Sequence, residues 1–285
     1  MTFRPLVKNS RTGTFAIVAG LVALAAGIWC AMYARFVHPF RPRITHTLIQ
    51  LPRSHKHLDG LSLAFVTDTH VGPSFPATAL EPTIQILRRA KPDIVLFGGD
   101  YISESPRYLA EAQGPLSAMA ATARIGAWGV LGNHDIANIR GRVLESLEST
   151  GITFLTNEAT EIQTPQGSFW LAGIDDTLLG RAEPETAFRD VPVDALSIAL
   201  WHEPDHAEKV EPFGPLLVLS GHSHGGQVRL PFIGPIAAPK LGRKYPGGRY
   251  DIGATTLFVS NGIGMYRPPV RLNCPPEVVI VRLIG

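Results

Sequence analysis

The sequence predicts an α/β fold in which two β-sheets pack as a sandwich flanked by helices, preceded by one N-terminal transmembrane helix. Three observations support this prediction. Residues 15–34 carry no charge, short apolar runs alternate with helical patterns after residue 60, and further apolar runs follow in the later half of the chain. With 285 residues, of which 45% are hydrophobic, the chain can bury a sizeable core, which excludes a disordered or fibrous protein.

The uncharged run from Phe15 to Ala34 is long enough to cross a bilayer, because twenty helical residues at about 1.5 Å each span about 30 Å. Trp29 and Tyr33 near its end are typical of interfacial aromatic anchors. The run is long for a cleaved signal peptide and lacks the polar stripe of a buried helix. We therefore expect a basic N-terminal segment (1–14), a transmembrane helix (15–34), a connector with the first strand region (35–60) and a folded body (61–285).

Basic residues flank the predicted span almost equally. Arg4, Lys8 and Arg11 precede it, and Arg35, Arg41, Arg43 and Arg53 follow it. The positive-inside rule therefore gives only a small preference for one orientation. On that preference we expect a single-pass protein of the inner (cytoplasmic) membrane with its body on the external side.

The charge distribution argues against a nucleic-acid partner. The chain has a formal net charge of +2, and residues 1–40 carry four basic residues and no acidic one, which leaves −2 for the rest. No basic excess therefore remains in the body to neutralise phosphates.

Two groups of short apolar runs are predicted as strands, with helical patterns between those of the first group. The first group comprises Leu61–Thr67, Asp93–Phe97, Gly129–Leu131, Ser197–Trp201 and Leu216–Leu219. The helical patterns lie at Ala77–Arg89, within Pro106–Ala123 and at Ile139–Thr150. The second group, expected to form a second sheet, comprises Phe154–Leu155, Thr160–Ile162, Phe169–Gly173, Thr256–Val259 and Glu277–Leu283.

Polar side chains that can bind metal follow every run of the first group. They are Asp68 and His70, Asp100, Asn133, His202, and His222 with His224. Because ligands of α/β proteins bind at the carboxyl ends of strands, we expect these side chains to converge. Imidazole, carboxylate and amide groups together suit manganese, iron or zinc better than calcium. Seven ligands exceed the needs of one ion, so we expect two divalent ions that share a carboxylate.

The motifs, taken in this order, resemble the signature of the calcineurin-like metallophosphoesterases. They are Asp68-x-His70, Gly99-Asp100, Gly132-Asn133-His134-Asp135, His202 and Gly221-His222-x-His224. The resemblance covers about residues 61–285, which it identifies as a metallophosphoesterase domain. Three further features are similar to a membrane-associated bacterial branch of phosphodiesterases: the preceding helix, Gly225-Gly226-Gln227 and Pro268-Pro269-Val270-Arg271-Leu272.

The resemblance implies a role for each residue of the signature. Asp68, His70, Asp100 and His224 hold the first metal, and Asp100, Asn133, His202 and His222 hold the second. A metal-bound hydroxide attacks phosphorus, His134 assists the leaving oxygen, and Asp135 holds His134. The implied function is a metal-dependent phosphoester hydrolase, and we expect its substrates to be phosphodiesters derived from lipid or the cell envelope.

Two alternatives stay open at this point. One is a UDP-diacylglucosamine-type pyrophosphatase of lipid precursor synthesis, and the other is a non-catalytic metal-binding membrane protein. Several histidines outside the signature are expected to be ordinary solvated groups: His38, His46, His55, His57 and His206. Glu203 and Asp205 fit either ordinary loop carboxylates or partners that support His202 from behind. Asp175 and Asp176 fit either a turn or the wall of the cleft. Basic residues of the 231–250 loop fit either an anion-binding loop or a solvated one.

Overall fold

The computed structural model describes residues 10–103, 105–137 and 140–285. The strands are β1 (Arg43–Gln50), β2 (Ser62–Val66), β3 (Ile94–Phe97), β4 (Gly126–Gly129), β5 (Ile152–Phe154), β6 (Glu158–Thr164), β7 (Gly167–Ile174), β8 (Ser197–Trp201), β9 (Leu217–Ser220), β10 (Arg229–Leu230), β11 (Gly234–Pro235), β12 (Gly248–Ile252), β13 (Thr255–Val259) and β14 (Glu277–Ile284). The α-helices are α1 (Ser10–Phe36), α2 (Glu81–Ala90), α3 (Leu109–Ala120), α4 (Asn133–Ala137), α5 (Arg140–Leu147) and α6 (Pro184–Ala187).

Two six-stranded sheets carry the architecture. The first has the order β1-β14-β2-β3-β4-β5, and the second has the order β12-β13-β9-β8-β7-β6. Strands β2 to β5 run parallel to one another, as do β7, β8, β9 and β13, whereas β6 and β12 pair antiparallel at the edges of the second sheet. Parallel pairing brings the carboxyl ends of neighbouring strands to one edge of each sheet.

The main core lies between the two sheets. Leu63, Phe65 and Leu96 of the first sheet form one buried cluster with Leu171 and Leu219 of the second. Further clusters cover the outer faces, one against α2, α3 and α5 and the other against α6 and the turn at 204–213. Strands buried on both faces need apolar side chains at successive positions, which explains the continuous apolar runs of the sequence. The predicted sandwich flanked by helices is confirmed.

The division of strands between the sheets differs from the sequence prediction. The runs at β8 and β9, expected beside β2 to β4, lie in the second sheet, whereas β5 and β14, expected in the second sheet, lie in the first. The strand expected at Gly129–Leu131 begins earlier, at Gly126. Sequence periodicity cannot assign such strands to a sheet, because both sheets are buried on both faces and their strands have similar apolar patterns.

The connector contains a full strand that belongs to the body's first sheet. Strand β1 pairs in parallel with β14 along its whole length, from Arg43 opposite Glu277 to Gln50 opposite Ile284. The helical patterns after β2, β3 and β4 appear as α2, α3 and α5. Ile139, where the third pattern was expected to start, lies outside the described residues, and α5 begins at Arg140.

Helix α1 is, within the described residues, the one helix long and apolar enough to cross a membrane. Its apolar window is not buried by the body. The helix nevertheless ends directly on the body, where the backbone nitrogen of Arg271 donates to the Ala34 carbonyl at 2.9 Å. His38 was expected to be solvated, but it is buried and its Nδ1 lies 3.0 Å from the Arg271 carbonyl oxygen. Contacts made far along the chain explain its burial.

Candidate metal centre

The structure brings all seven predicted metal ligands to one edge of the sandwich. Asp68 and His70 follow β2, Asp100 follows β3, Asn133 begins α4 after β4, His202 follows β8, and His222 and His224 follow β9. Six of the seven form two groups, Asp68 with His70 and His224, and Asp100 with His202 and His222, in each of which the ligand atoms lie within 4.8 Å of one another. A third group of this kind joins His70, Asp100 and His134. The predicted convergence is therefore observed, although the strands come from two sheets.

Asp100 stands between the two groups. Its Oδ2 lies 3.4 Å from His70 Nε2 and 3.2 Å from His202 Nε2. On the first side, His224 Nε2 lies 3.0 Å from His70 Nε2 and 3.3 Å from Asp68 Oδ1. One carboxylate thus faces both sets of donors, which is the arrangement that a bridging ligand between two ions requires.

The backbone at the site adopts a conformation that side chains usually avoid. Five of the predicted ligands have a positive φ: Asp68 (54°), His70 (43°), Asp100 (55°), His222 (63°) and His224 (51°). Such angles cost about 1–3 kcal/mol each and persist where the surrounding structure imposes them. Their concentration at one edge marks this loop cluster as a functional site.

Glycines beside the ligands allow the loops to approach closely. A Cβ on Gly132 would lie 2.3 Å from Asp100 Oδ1, and one on Gly221 would lie 2.3 Å from Asp68 Oδ2. Both distances are too short for real atoms, so a side chain at either position would displace a carboxylate. The glycines of the two motifs are therefore explained by packing around Asp68 and Asp100.

Burial keeps most of the imidazoles neutral. It lowers the pKa of His70 to about 3 and that of His222 to about 4, and it also holds the pKa of His224 well below its usual range. Burial raises the pKa of Asp68 to about 6. Neutral imidazoles keep a lone pair for a metal ion, so these three histidines are prepared to bind one without first losing a proton.

His202 and Asp100 behave as an ion pair without metal. Burial opposes charge on both, but the negative Asp100 raises the pKa of His202 well above its usual value, and His202 in turn holds the pKa of Asp100 well below its usual value. Each group thus stabilises the charged form of the other. A divalent ion placed between them would supply positive charge to the same carboxylate.

The donor atoms fit divalent metal ions. Asn133 Oδ1 is buried and has no hydrogen-bond partner among the described residues. His202 Nδ1 lies 2.6 Å from the Gly98 carbonyl and His222 Nε2 lies 2.8 Å from the Lys240 carbonyl, so in each ring the other nitrogen is available to a metal. Such carbonyl bonds fix the tautomer of a metal-binding histidine.

Asp135 has a different environment from the one implied by the resemblance. Its Oδ2 accepts hydrogen bonds from the backbone nitrogens of Asp100 (2.7 Å) and Gly132 (2.9 Å), and its Oδ1 accepts one from that of Tyr101 (2.9 Å). Both oxygens are thus used to join the loops after β3 and β4, and neither is needed to explain the position of His134. Burial, and then the charge of Asp100, raise the pKa of Asp135 to about 8.

His134 lines the site beside an aromatic residue that sequence reasoning missed. Its ring centroid lies 4.9 Å from that of His70 and 4.4 Å from that of Tyr266. Tyr266 is 38% exposed and also stacks on His70 at 5.7 Å. No motif surrounds this tyrosine, so its place depends on the fold alone.

Arg271 is a second residue whose importance the sequence did not reveal. It is fully buried, and its guanidinium donates to the carbonyls of Asn261 (2.7 Å) and Gly264 (2.7 and 3.0 Å). Its NH2 group also stands 3.5 Å from His224 Nδ1. The residue braces the loop after β13 against the last histidine pair. Arg271 belongs to the motif at 268–272, but the sequence assigned it no role.

Two acidic residues expected to be ordinary loop or turn groups are buried behind the second group. Glu203 and Asp176 are both fully buried. Burial raises the pKa of Glu203 well above its usual value, and the neighbouring Asp176 adds to the rise. Backbone nitrogens of Thr177, Leu179 and Gly180 donate to these carboxyl groups at 2.5–3.0 Å. The two side chains thus hold the loop that follows β7 beside Glu203, the residue after His202.

A cavity of about 540 Å³ opens over the predicted ligands. Its lining includes Asp100, Asn133, His134, His222, Lys240 and Tyr266. Among the basic residues of the 231–250 loop, Lys240 lines this cavity, Lys244 pairs with Glu208, and Arg243 donates to the Ala238 carbonyl. The structure thus places one of these cations where it can meet a bound anion.

Comparison with known proteins agrees with this geometry. A sequence model described as calcineurin-like phosphoesterase matches residues 61–226. The chain belongs to this family. Its members are metallophosphoesterases that use a dinuclear divalent metal site, so the chain is a phosphoester hydrolase, as the sequence predicted.

Three relatives illustrate the range of the family. The uncharacterized metallophosphoesterase YkuE of Bacillus subtilis is 34% identical, over 92% of this chain and 93% of its own. Phosphodiesterase YaeI of Escherichia coli is 32% identical, over 78% and 82%. UDP-2,3-diacylglucosamine pyrophosphatase LpxG of Chlamydia trachomatis is 24% identical, over 92% and 95%.

Proposed function

We propose that this protein is a membrane-anchored phosphodiesterase whose two divalent ions share Asp100. The first ion would be held by Asp68, His70, Asp100 and His224, and the second by Asp100, Asn133, His202 and His222. The position of the Asp100 carboxylate between the two donor groups carries this proposal. The mixture of nitrogen and oxygen donors suits manganese, iron or zinc.

The bound ions supply positive charge that lowers the pKa of water and neutralises phosphoryl oxygens. The side chains supply position and proton transfer. His134 reaches the cavity beside the predicted ligands and donates a proton to the leaving oxygen of the substrate. Tyr266 fixes the plane of the His134 ring by packing against it. Asp135 acts through the backbone, because its carboxylate holds the loops that present Asp100 and Asn133.

A phosphodiester is favoured as substrate because the cavity continues past the donor groups. Lys240, Arg267 and Pro268 line it together with His134 and Tyr266, and its volume of about 540 Å³ is larger than a phosphate group alone needs. The name of YaeI supports the same substrate class. Helix α1, which joins the body close to the cavity, supports a substrate from lipid or the cell envelope, at the inner membrane.

Pyrophosphate hydrolysis of an acylated nucleotide-sugar is the second candidate, since LpxG aligns along almost its whole length. That reaction would require the body on the cytoplasmic side, whereas we propose an external body. Reporter fusions at the C-terminus distinguish the two, because alkaline phosphatase is active outside the inner membrane and a cytoplasmic fluorescent reporter is active inside.

The phosphodiesterase proposal is tested with the full-length protein in detergent. After loading with Mn²⁺, we expect hydrolysis of bis(4-nitrophenyl) phosphate by the wild type and a loss of about 100-fold or more in Asp100→Asn, with fewer ions bound per chain. Asp251→Asn is the matched control, because this exposed carboxylate on β12 forms an ion pair with Arg249. Equal activity of the wild type and Asp100→Asn on a panel of phosphoesters would refute the proposal.

A further inference from the structure

An exposed apolar hairpin projects from the body beside the site. Strands β10 and β11 pair antiparallel, with Arg229 opposite Pro235, and we call residues 229–236 the apolar hairpin. Its exposed side chains are Leu230 (39%), Phe232 (109%), Ile233 (74%) and Ile236 (61%). Four large apolar side chains exposed within seven residues are unfavourable in water and mark a surface that contacts an apolar partner.

The base of the apolar hairpin and the end of helix α1 bind neighbouring residues of one segment. The backbone nitrogen of Arg229 donates to the Leu272 carbonyl at 2.9 Å, and that of Arg271 donates to the Ala34 carbonyl at 2.9 Å. Because Arg271 and Leu272 are adjacent, the hairpin base lies within roughly 12 Å of the end of the membrane helix. Asn273 fastens the base further, since its Nδ2 donates to the Arg229 carbonyl at 3.1 Å.

The charge around the apolar hairpin fits a lipid surface. Residues 226–247 contain four basic side chains, Arg229, Lys240, Arg243 and Lys244, and no acidic one. Lys244 pairs with Glu208 of a neighbouring segment, which leaves the other three as the cations of this stretch. The rest of the body has an acidic balance, so this stretch is an exception. Basic side chains beside exposed apolar ones are typical of segments that bind anionic membranes, where the cations meet headgroups and the apolar groups enter below them.

The apolar hairpin also borders the mouth of the cavity. The chain on either side of it, Gly226 with Gln227 and Ala237 with Ala238, lines the cavity. Gln227 Nε2 donates to the carbonyls of Tyr266 (3.1 Å) and Pro268 (2.9 Å), which joins the hairpin side of the mouth to the side that carries Tyr266. A surface that binds the tip of the apolar hairpin therefore lies close to the mouth of the cavity.

We propose that the apolar hairpin inserts Phe232 and Ile233 into the same bilayer that holds α1, so that the mouth of the cavity faces the lipid headgroups. The continuity of the hairpin base with the end of α1 and the basic residues around it identify this partner as a membrane. It follows that the site takes a phosphoester from the lipid surface; this consequence, unlike the insertion, rests on the proposed function.

The test measures the depth of the hairpin tip in the full-length protein. A cysteine replaces Phe232, Cys30 is replaced by serine, and Cys274 is buried and protected from labelling. The control places the cysteine at Val193, which is 100% exposed and precedes β8, at the sheet edge opposite the site. Each variant carries the environment-sensitive fluorophore NBD and is reconstituted into vesicles of phosphatidylethanolamine and phosphatidylglycerol.

We expect the probe at 232 to emit at shorter wavelength than the probe at 193, to be quenched by nitroxide on lipid acyl chains, and to be quenched several-fold less by aqueous iodide. Equal iodide quenching at the two positions would overturn the proposal. The probe at 232 could also be protected from iodide only at high protein density and without nitroxide quenching. That result would assign the surface to a second copy of the chain and would also overturn the proposal. No turnover is measured, so a failure here is distinct from a failure to hydrolyse phosphodiesters.

Discussion

Replacing Gly132 with alanine tests whether the site depends on the close approach of two loops. The added Cβ would lie 2.3 Å from Asp100 Oδ1 and 2.7 Å from the backbone nitrogen of Asp100, whereas ordinary contacts begin at 3.4 Å. The loop is held by hydrogen bonds and close packing, so the Asp100 carboxylate must move by about 1 Å. The same movement weakens the hydrogen bond from the His134 nitrogen to Asp100 Oδ1, which is 2.9 Å long.

A displacement of this size is large for metal binding. Distances between a metal and its ligands tolerate about 0.2 Å, so we expect Gly132→Ala to lose at least one ion per chain. An error of about 1 Å in a reacting group typically costs about 100-fold in rate, and we expect a loss of this order in kcat/KM. The weakened hydrogen bond adds a loss of about 1–3 kcal/mol in the free energy of unfolding.

Mass spectrometry of bound manganese and hydrolysis of bis(4-nitrophenyl) phosphate measure these effects. Gly141→Ala is the control, because Gly141 lies inside α5 and has open space where its Cβ would stand. That change should leave metal content and activity unchanged and stabilise the helix by up to about 1 kcal/mol. The reasoning is refuted if Gly132→Ala retains two ions per chain and activity within about twofold of the wild type.

Two further predictions concern the surroundings of the ligands. In Arg271→Lys, most bonds from the buried guanidinium to the loop carbonyls are lost, so we expect the free energy of unfolding to fall by about 2–4 kcal/mol in thermal denaturation; an unchanged Tm would contradict the bracing role. The affinity for Mn²⁺, measured by calorimetric titration, should fall by up to about tenfold per pH unit as the pH drops through about 6. Burial raises the pKa of Asp68 to about 6, so at lower pH the ion must displace the proton of Asp68, whereas His70, with a pKa lowered to about 3, is already neutral. A constant affinity between about pH 7 and 5 would contradict this prediction.

The position of the site could be predicted because its residues are tied to local features of the chain. Asp68, Asp100 and His202 each follow an apolar run by at most three residues, so placing the strands also places the ligands. Parallel strands then bring the ligands to one edge, whichever sheet holds them. This explains why a wrong division of β8 and β9 between the sheets left the predicted cluster intact.

Other features depend on contacts between distant parts of the chain. Arg271 and Tyr266 reach the site from a segment without secondary structure, and Asp135 binds backbone atoms that resemble those of any other loop. His38 is buried because residues more than 200 positions later pack over it. No local pattern of sequence reports such contacts, since burial of a polar side chain depends on which partners the completed fold supplies.

The position of β14 in the first sheet affects how this protein is made. Strand β14 is the last of the chain, yet it lies between β1 and β2, near the N-terminus. At synthesis rates of about 5–20 residues per second, β2 waits about 10–40 s for this neighbour after it has left the ribosome. The first sheet therefore closes only after β14 has been synthesised, while α1 is already available for insertion. During that interval the nascent body exposes two unpaired strand edges, which makes it a substrate for chaperones.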